Sequence, residues 1–168
     1  MRILGIDPGL GITGYGLIET KGRLHKLVEA GIIRSSAREA LEARLSKIYR
    51  GIKGLIREFR PDVLVVEELY SHYKHPKTAI LMGHVRGVVY LAANESGLPV
   101  TGYSATRIKK AVIGDGNAGK ERVKKMMQSL LNLKNLPAYS DVTDALALAL
   151  AHSYITSREA WFSGKVRR

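Results

Sequence analysis

The chain contains no cysteine. That absence removes disulfides, thiolate metal sites and cysteine nucleophiles together, and it gives no sign of an oxidising compartment. No run of about 18 apolar residues occurs, so no transmembrane helix is expected. The opening Met1-Arg2-Ile3-Leu4-Gly5-Ile6-Asp7 has an apolar stretch too short for a signal-peptide core. A soluble, cytoplasmic protein without membrane partners is expected. Acid is also scarce. Against 27 Lys and Arg stand 15 Asp and Glu, a formal net charge of +12 and a pI near 10.0. Such an imbalance fits a polyanionic partner or an ordinary basic surface. No internal repeat or low-complexity segment is visible. What is present is 168 residues with 45% apolar content, enough for one domain with a real core. We place that domain at residues 1–158, followed by a basic tail at 159–168.

Periodicity outlines the elements. Ile3–Ile6 reads as a strand ending in the turn formers Asp7-Pro8-Gly9. Strands from about Thr13 to Glu19 and Leu24 to Ile33 follow, and their short connections imply an antiparallel meander. Apolar residues at three- and four-residue steps predict a helix over Arg38–Phe59, ended by Arg60-Pro61. Val63–Val66 is β-branched without alternation, as in a strand covered on both faces, and stops at Glu67-Glu68. A polar loop over Ser71–Lys77, a helix from about Pro76 to Glu95, a short strand at Leu98–Val100 and helices over Thr106–Ile113 and Gly119–Leu131 come next. A final helix is expected from Ser140 to about Arg158. The sum is an α/β fold with a mixed five-stranded sheet, antiparallel meander then parallel strands, flanked by helices.

Four acids sit at element ends. Asp7 and one of Glu67 or Glu68 close apolar strands, where sites of α/β sheets gather. Asp141 and Asp144 share a face of the last helix's first turn. Capping and dipole compensation explain one of that pair well and two less well. Together the four suit hard divalent cations, which prefer carboxylate oxygen and bridge to phosphate. A paired-ion site can hold both the attacking and the leaving oxygen of an in-line displacement. The five histidines show no paired ligand spacing, and His152 reads as a core histidine.

Basic and aromatic residues supply candidate nucleic-acid contacts. Tyr70 and Tyr73 lie beside Lys74 and Lys77 and could stack on unpaired bases. Lys109, Lys110, Lys120, Arg122, Lys124 and Lys125 are dense between two apolar faces and could grip phosphates or simply face solvent. Arg86 is expected either near the cleft, as a further DNA contact, or in a surface ion pair. Gly83 and Gly87 place small residues on one face of their helix, allowing another helix, or the domain's own sheet, to approach closely.

Gly5-Ile6-Asp7-Pro8-Gly9-Leu10 with Thr13-Gly14-Tyr15-Gly16 resembles the opening of the RuvC family of Holliday junction resolvases. Further blocks resemble the family in the same order: Arg60-Pro61-Asp62 into Val65-Val66-Glu67, Gly83-His84-Val85-Arg86-Gly87-Val88, Ile108–Gly114 with Gly119-Lys120, and Ser140–Ala147 with His152. The resemblance implies a ribonuclease H-like fold and a homodimeric, metal-dependent, structure-selective endodeoxyribonuclease. Such an enzyme resolves four-way junctions by paired symmetric nicks in recombination and repair. It implies two Mg²⁺ per active site, replaceable by Mn²⁺, held by Asp7, Glu67, Asp141 and Asp144, and so selects Glu67 over Glu68. It places Tyr70 at a stacking position, Lys109 and Lys120 near DNA, and Lys120 at the scissile phosphate. It also implies dimerisation through the Gly83–Gly87 helix and a branch-migration motor complex as partner. The segment between Glu67 and Gly83 departs from the pattern: it is one residue longer and carries Tyr70, Tyr73 and His75-Pro76 where phenylalanine and asparagine are usual. Alternatives are a related nuclease acting on structured RNA, a non-catalytic junction-binding module, and an ATP-binding protein of the actin–sugar kinase class. The last needs a second lobe that 168 residues do not supply.

Overall fold

The computed structural model describes residues 1–22, 24–68 and 76–165, with side chains of 76 and 160–165 left aside. The elements are β1 (Arg2–Asp7), β2 (Ile12–Lys21), β3 (Leu24–Arg34), α1 (Leu41–Phe59), β4 (Val63–Glu67), α2 (Pro76–Asn94), β5 (Val100–Tyr103), α3 (Ala105–Ile113), α4 (Lys120–Leu130) and α5 (Ser140–Lys165). The sheet order is β3-β2-β1-β4-β5. The meander β1–β2–β3 is antiparallel, and β4 joins β1 in parallel, with β5 parallel to β4. The expected mixed sheet is therefore present.

Three elements differ from the expected ones by three residues or more at one end, each for a local reason. Helix α1 starts at Leu41 rather than Arg38, because residues 37–39 turn and the Glu39 carboxylate accepts from the Ser36 N–H at 2.7 Å. Strand β5 is displaced to Val100–Tyr103: Gly97 takes a left-handed φ of 64° and Pro99 offers no N–H to a ladder. Helix α5 continues past Arg158 to Lys165, since no proline intervenes and Glu159 pairs with Arg107 at 3.2 Å. The stop of α1 is as expected. Arg60, held at φ 46° before Pro61, donates its N–H to the Ile56 carbonyl.

The sheet is covered on both faces. Leu4, Ile6, Leu17, Leu64 and Val66 point to α1 and α2, where Ile48, Ile52 and Val89 meet them. Ile3, Ile18, Val63, Val65 and Tyr103 point to α5, α3 and α4. Strand alternation therefore sends Asp7, two past Gly5, and Glu67, two past Val65, to the α5 side. Helix α5 is the central one: Ala145–Ala151 are all essentially sealed from solvent. It rests on β1 and β2 where those strands carry Gly5 and Gly16, which face each other across the ladder. A Cβ at Gly5 would stand 3.1 Å from the Ala149 nitrogen and nearer still to the Ala145 carbonyl. Only glycine permits this seating.

Ile52→Ala empties a fully buried position between α1 and the sheet. We expect a loss of about 2–5 kcal/mol, with an unchanged slope against urea in equilibrium unfolding.

Candidate active site

Asp7 ends β1 and Glu67 ends its parallel neighbour β4, one rung beyond the Ile6–Val66 pair. Parallel pairing brings both carboxyl ends to one edge of the sheet, on the face α5 covers. Asp141 enters from above. Gly14 is the ladder partner of Asp7, and the Asp141 backbone lies directly over it. Asp144 follows one turn on and lines a hollow of about 260 Å³ with Glu67, Lys109 and Lys120. Four acids separated by up to 137 residues of chain thus face one another. Glu68 does not join them: it points to the opposite side of β4, its side chain against Gly102, and its N–H donates to the Tyr103 carbonyl.

The charges act on each other. Burial, then Asp144, Glu67 and Asp141, push the Asp7 carboxyl up to about 7, with Lys120 opposing. Burial and Asp144 raise Glu67, while Arg86, Lys109 and Lys120 pull it down. Burial also raises Asp144, opposed mainly by Lys120. A carboxyl that resists ionisation among other carboxyls is what an all-oxygen donor set looks like in a low dielectric. Such oxygens fit a hard divalent cation, which would restore the charged forms. As the side chains stand, no three His, Cys, Asp or Glu among the described residues are drawn tightly enough to enclose an ion.

The candidate DNA contacts separate into groups. Lys109 and Lys120 reach the acid hollow. Lys110 is exposed on the other side of α3, in a hollow with Arg107 and Arg158. Arg122 pairs with Asp115 at 3.3 Å and Lys124 with Glu121 at 3.1 Å, both pairs lying at the surface, and Lys124 also lowers the Asp144 carboxyl. Arg86 is 9% exposed, donates to the Tyr90 hydroxyl at 3.0 Å and lies over that ring, which makes it an internal cation behind Glu67. Lys77 is exposed at the start of α2. Tyr70, Tyr73 and Lys74 lie outside the described residues. His152 is the expected core histidine, its Nδ1 2.9 Å from the Tyr103 hydroxyl. The sequence reading missed the structural part played by Gly14 and Gly16. Two glycines at alternate positions of a strand, on the same face as Gly5, were the available signal.

The antiparallel meander, the parallel β4 and β5, and carboxylates gathered at the ends of β1 and β4 define a ribonuclease H-like protein. Comparison with known proteins narrows this. The family model for crossover junction endodeoxyribonuclease RuvC matches residues 3–152. The chain is 43% identical over 155 residues to the RuvC of Rhodopirellula baltica, covering 92% of this chain and 87% of that protein. It is 46% identical over 153 residues to that of Moorella thermoacetica, covering 91% of each. The structure of Thermus thermophilus RuvC in complex with a Holliday junction substrate superposes with a TM-score of 0.90 at 34% identity, over 95% of this chain and 96% of that one. The chain belongs to the RuvC family.

The raised Asp7 carboxyl has a stability consequence. Its folded value, about 7, lies above its ordinary 3.8, so its favourable contribution is complete below pH 3.8 and is lost as pH rises through 7. In chelator, Asp7→Asn is expected to melt above the native chain by a few degrees at about pH 8. The gap should close towards about pH 4, as read by calorimetric scans across that range.

Proposed function

We propose that this chain is a Holliday junction-resolving endodeoxyribonuclease whose chemistry is carried by Asp7, Glu67, Asp141 and Asp144. The observation that carries the reading is the meeting of four acids from β1, β4 and α5 at one sheet edge of a protein with net charge +12. Bare carboxylates repel phosphate, so an acidic hollow in a basic protein makes sense when cations mediate. Two Mg²⁺, or Mn²⁺ in their place, would be held by Asp7, Glu67, Asp141 and Asp144. When bound, such ions supply an activated water and stabilise the departing 3′-oxygen.

The chain's own residues do the rest. Asp7 and Glu67 sit on strands pinned by hydrogen bonds on both sides, so their oxygens are held with little freedom. Asp141 and Asp144 ride on the first turn of a helix whose body, Ala145–Ala151, is buried in the core. Lys109 and Lys120 offset the acids' charge and offer ammonium groups to the scissile phosphodiester. Tyr70, Tyr73, Lys74 and Lys77, with Lys110, Arg122 and Lys124, are proposed to contact the junction arms. Arg86, being internal, is proposed to act on Glu67 more than on DNA.

Paired symmetric nicks call for two active sites, and α2 offers a two-fold surface. Ile80 and Leu91 are 61% and 49% exposed, and Gly83 and Gly87 have open space where a Cβ would be. All four lie along one side of the helix. A second copy laid there would cover this apolar stripe with small residues at its crossing. The reading includes action in the cytoplasm, where DNA is at hand, with a branch-migration motor as further partner. No helix among the described residues is long and apolar enough to cross a membrane. The nuclease unit is proposed to span residues 1–158.

Asp7→Asn is expected to bind a synthetic four-way junction as the native chain does, while nicking falls at least about a thousandfold. Retention of normal cleavage on a denaturing gel overturns the reading, as does preference for structured RNA over branched DNA. Ile80→Asp with Leu91→Asp should sediment as a monomer and leave junctions singly nicked.

A further inference from the structure

Gly14 stands opposite Asp7 across the β1–β2 ladder and on the face that meets α5. A Cβ built on it would lie 2.8 Å from the Asp141 Cβ, and closer still to the Asp141 carbonyl. The obstacle is backbone, which cannot swing aside. At Gly16, two residues on, the nearest obstacle is the Leu146 side chain, with Cδ2 at 2.6 Å. At Gly5 it is the backbone of Ala145 and Ala149. The three glycines thus seat different things. Gly5 and Gly16 seat the body of α5, whereas Gly14 alone seats a residue that carries a site carboxylate.

We propose that Gly14 is a positioning residue that sets the reach of the Asp141 carboxylate towards the divalent cations, an inference that rests on the metal-dependent reading above. The reasoning is one of tolerances. A methyl at position 14 would push the Asp141 backbone back until the contact relaxed to about 3.5–4.0 Å, roughly the length of one carbon–carbon bond. A packed helix end absorbs a shift of that size by tilting. Ligation does not, because metal–oxygen distances hold to about 0.2 Å. Sequence distance hides the connection: 127 positions separate Gly14 from Asp141, and only the crossing of α5 over β2 joins them. One further methylene in the side chain at position 141 would restore about the length that the methyl removes.

The test is calorimetric titration of Mn²⁺ into the full chain without DNA, beside melting temperatures. Asp7→Asn identifies which heat belongs to the acid site. Gly14→Ala is expected to weaken Mn²⁺ binding by about 10–100-fold, the range seen when the support of a ligand is disturbed. Gly16→Ala should lower the melting temperature by a similar amount yet bind Mn²⁺ within about twofold of the native chain. Asp141→Glu, weakening on its own, should recover affinity at least about threefold when added to Gly14→Ala, the sign expected of coupled neighbours. If Gly14→Ala does not fold, Leu146→Ala provides room under α5. Gly14→Ala with Leu146→Ala, read against Leu146→Ala alone, must then show the same loss. Unchanged Mn²⁺ affinity in the Gly14 variant overturns the proposal. So does an equal loss in both glycine variants with no gain from Asp141→Glu. A native chain that takes up no Mn²⁺ at the acids overturns the metal reading itself, a result visible before any glycine variant is made.

Discussion

The close seating of α5 on β1 and β2 is the constraint on which the rest depends. Three glycines, two of them directly paired across the ladder, remove the side chains that would otherwise hold the helix off the sheet. The helix sinks until its carbonyls meet the strand backbone. Its small residues, Ala145, Ala149 and Ala151, are buried as a consequence, and its first turn arrives at the sheet edge where β1 and β4 end. Core packing and site assembly are therefore the same event. A change that lifts the first turn of α5 withdraws the acids it carries, whereas one under the body of the helix costs apolar burial.

Electrostatics oppose this arrangement. Burying carboxyls beside one another raises Asp7, Glu67 and Asp144 above their ordinary range. The fold sustains the conflict because the acids sit at the rim of a large core, and because Lys120, Lys109 and the internal Arg86 offset part of the repulsion. A basic exterior and an acidic hollow are complementary: the first draws a polyanion in, and the second holds what a phosphodiester needs at one point. The buried Tyr103–His152 hydrogen bond ties β5 to α5 behind the hollow, so β4, β5, α3 and α5 share one frame.

The legible parts of the sequence were those carried by local pattern. The meander followed from short connections, α1 from its three- and four-residue steps, and β4 from an unbroken β-branched run. The location of β5 was less so, because Leu98-Pro99-Val100 looks extended while Gly97 and Pro99 in fact delay the ladder. The choice between Glu67 and Glu68 could not come from a strand end alone. It needed the face of the sheet that α5 covers, which alternation resolves only once the packing is known. Likewise Arg86, Arg122 and Lys124 carry equal charge on paper, yet the first is internal while the other two pair with neighbouring acids at the surface.

By itself, then, the order of residues determined the elements, the ends at which acids fall, the excess of positive charge and the family. These are properties of neighbours along the chain or of composition, and short-range forces read them directly. Tertiary structure alone decided that β4 lies beside β1, that Gly14 faces Asp141, and which cations are internal, paired at the surface or turned to the acid hollow. The reason is that each is a relation between segments tens of residues apart, set by how two layers of helix close on one sheet, and no local preference encodes the distance at which they stop.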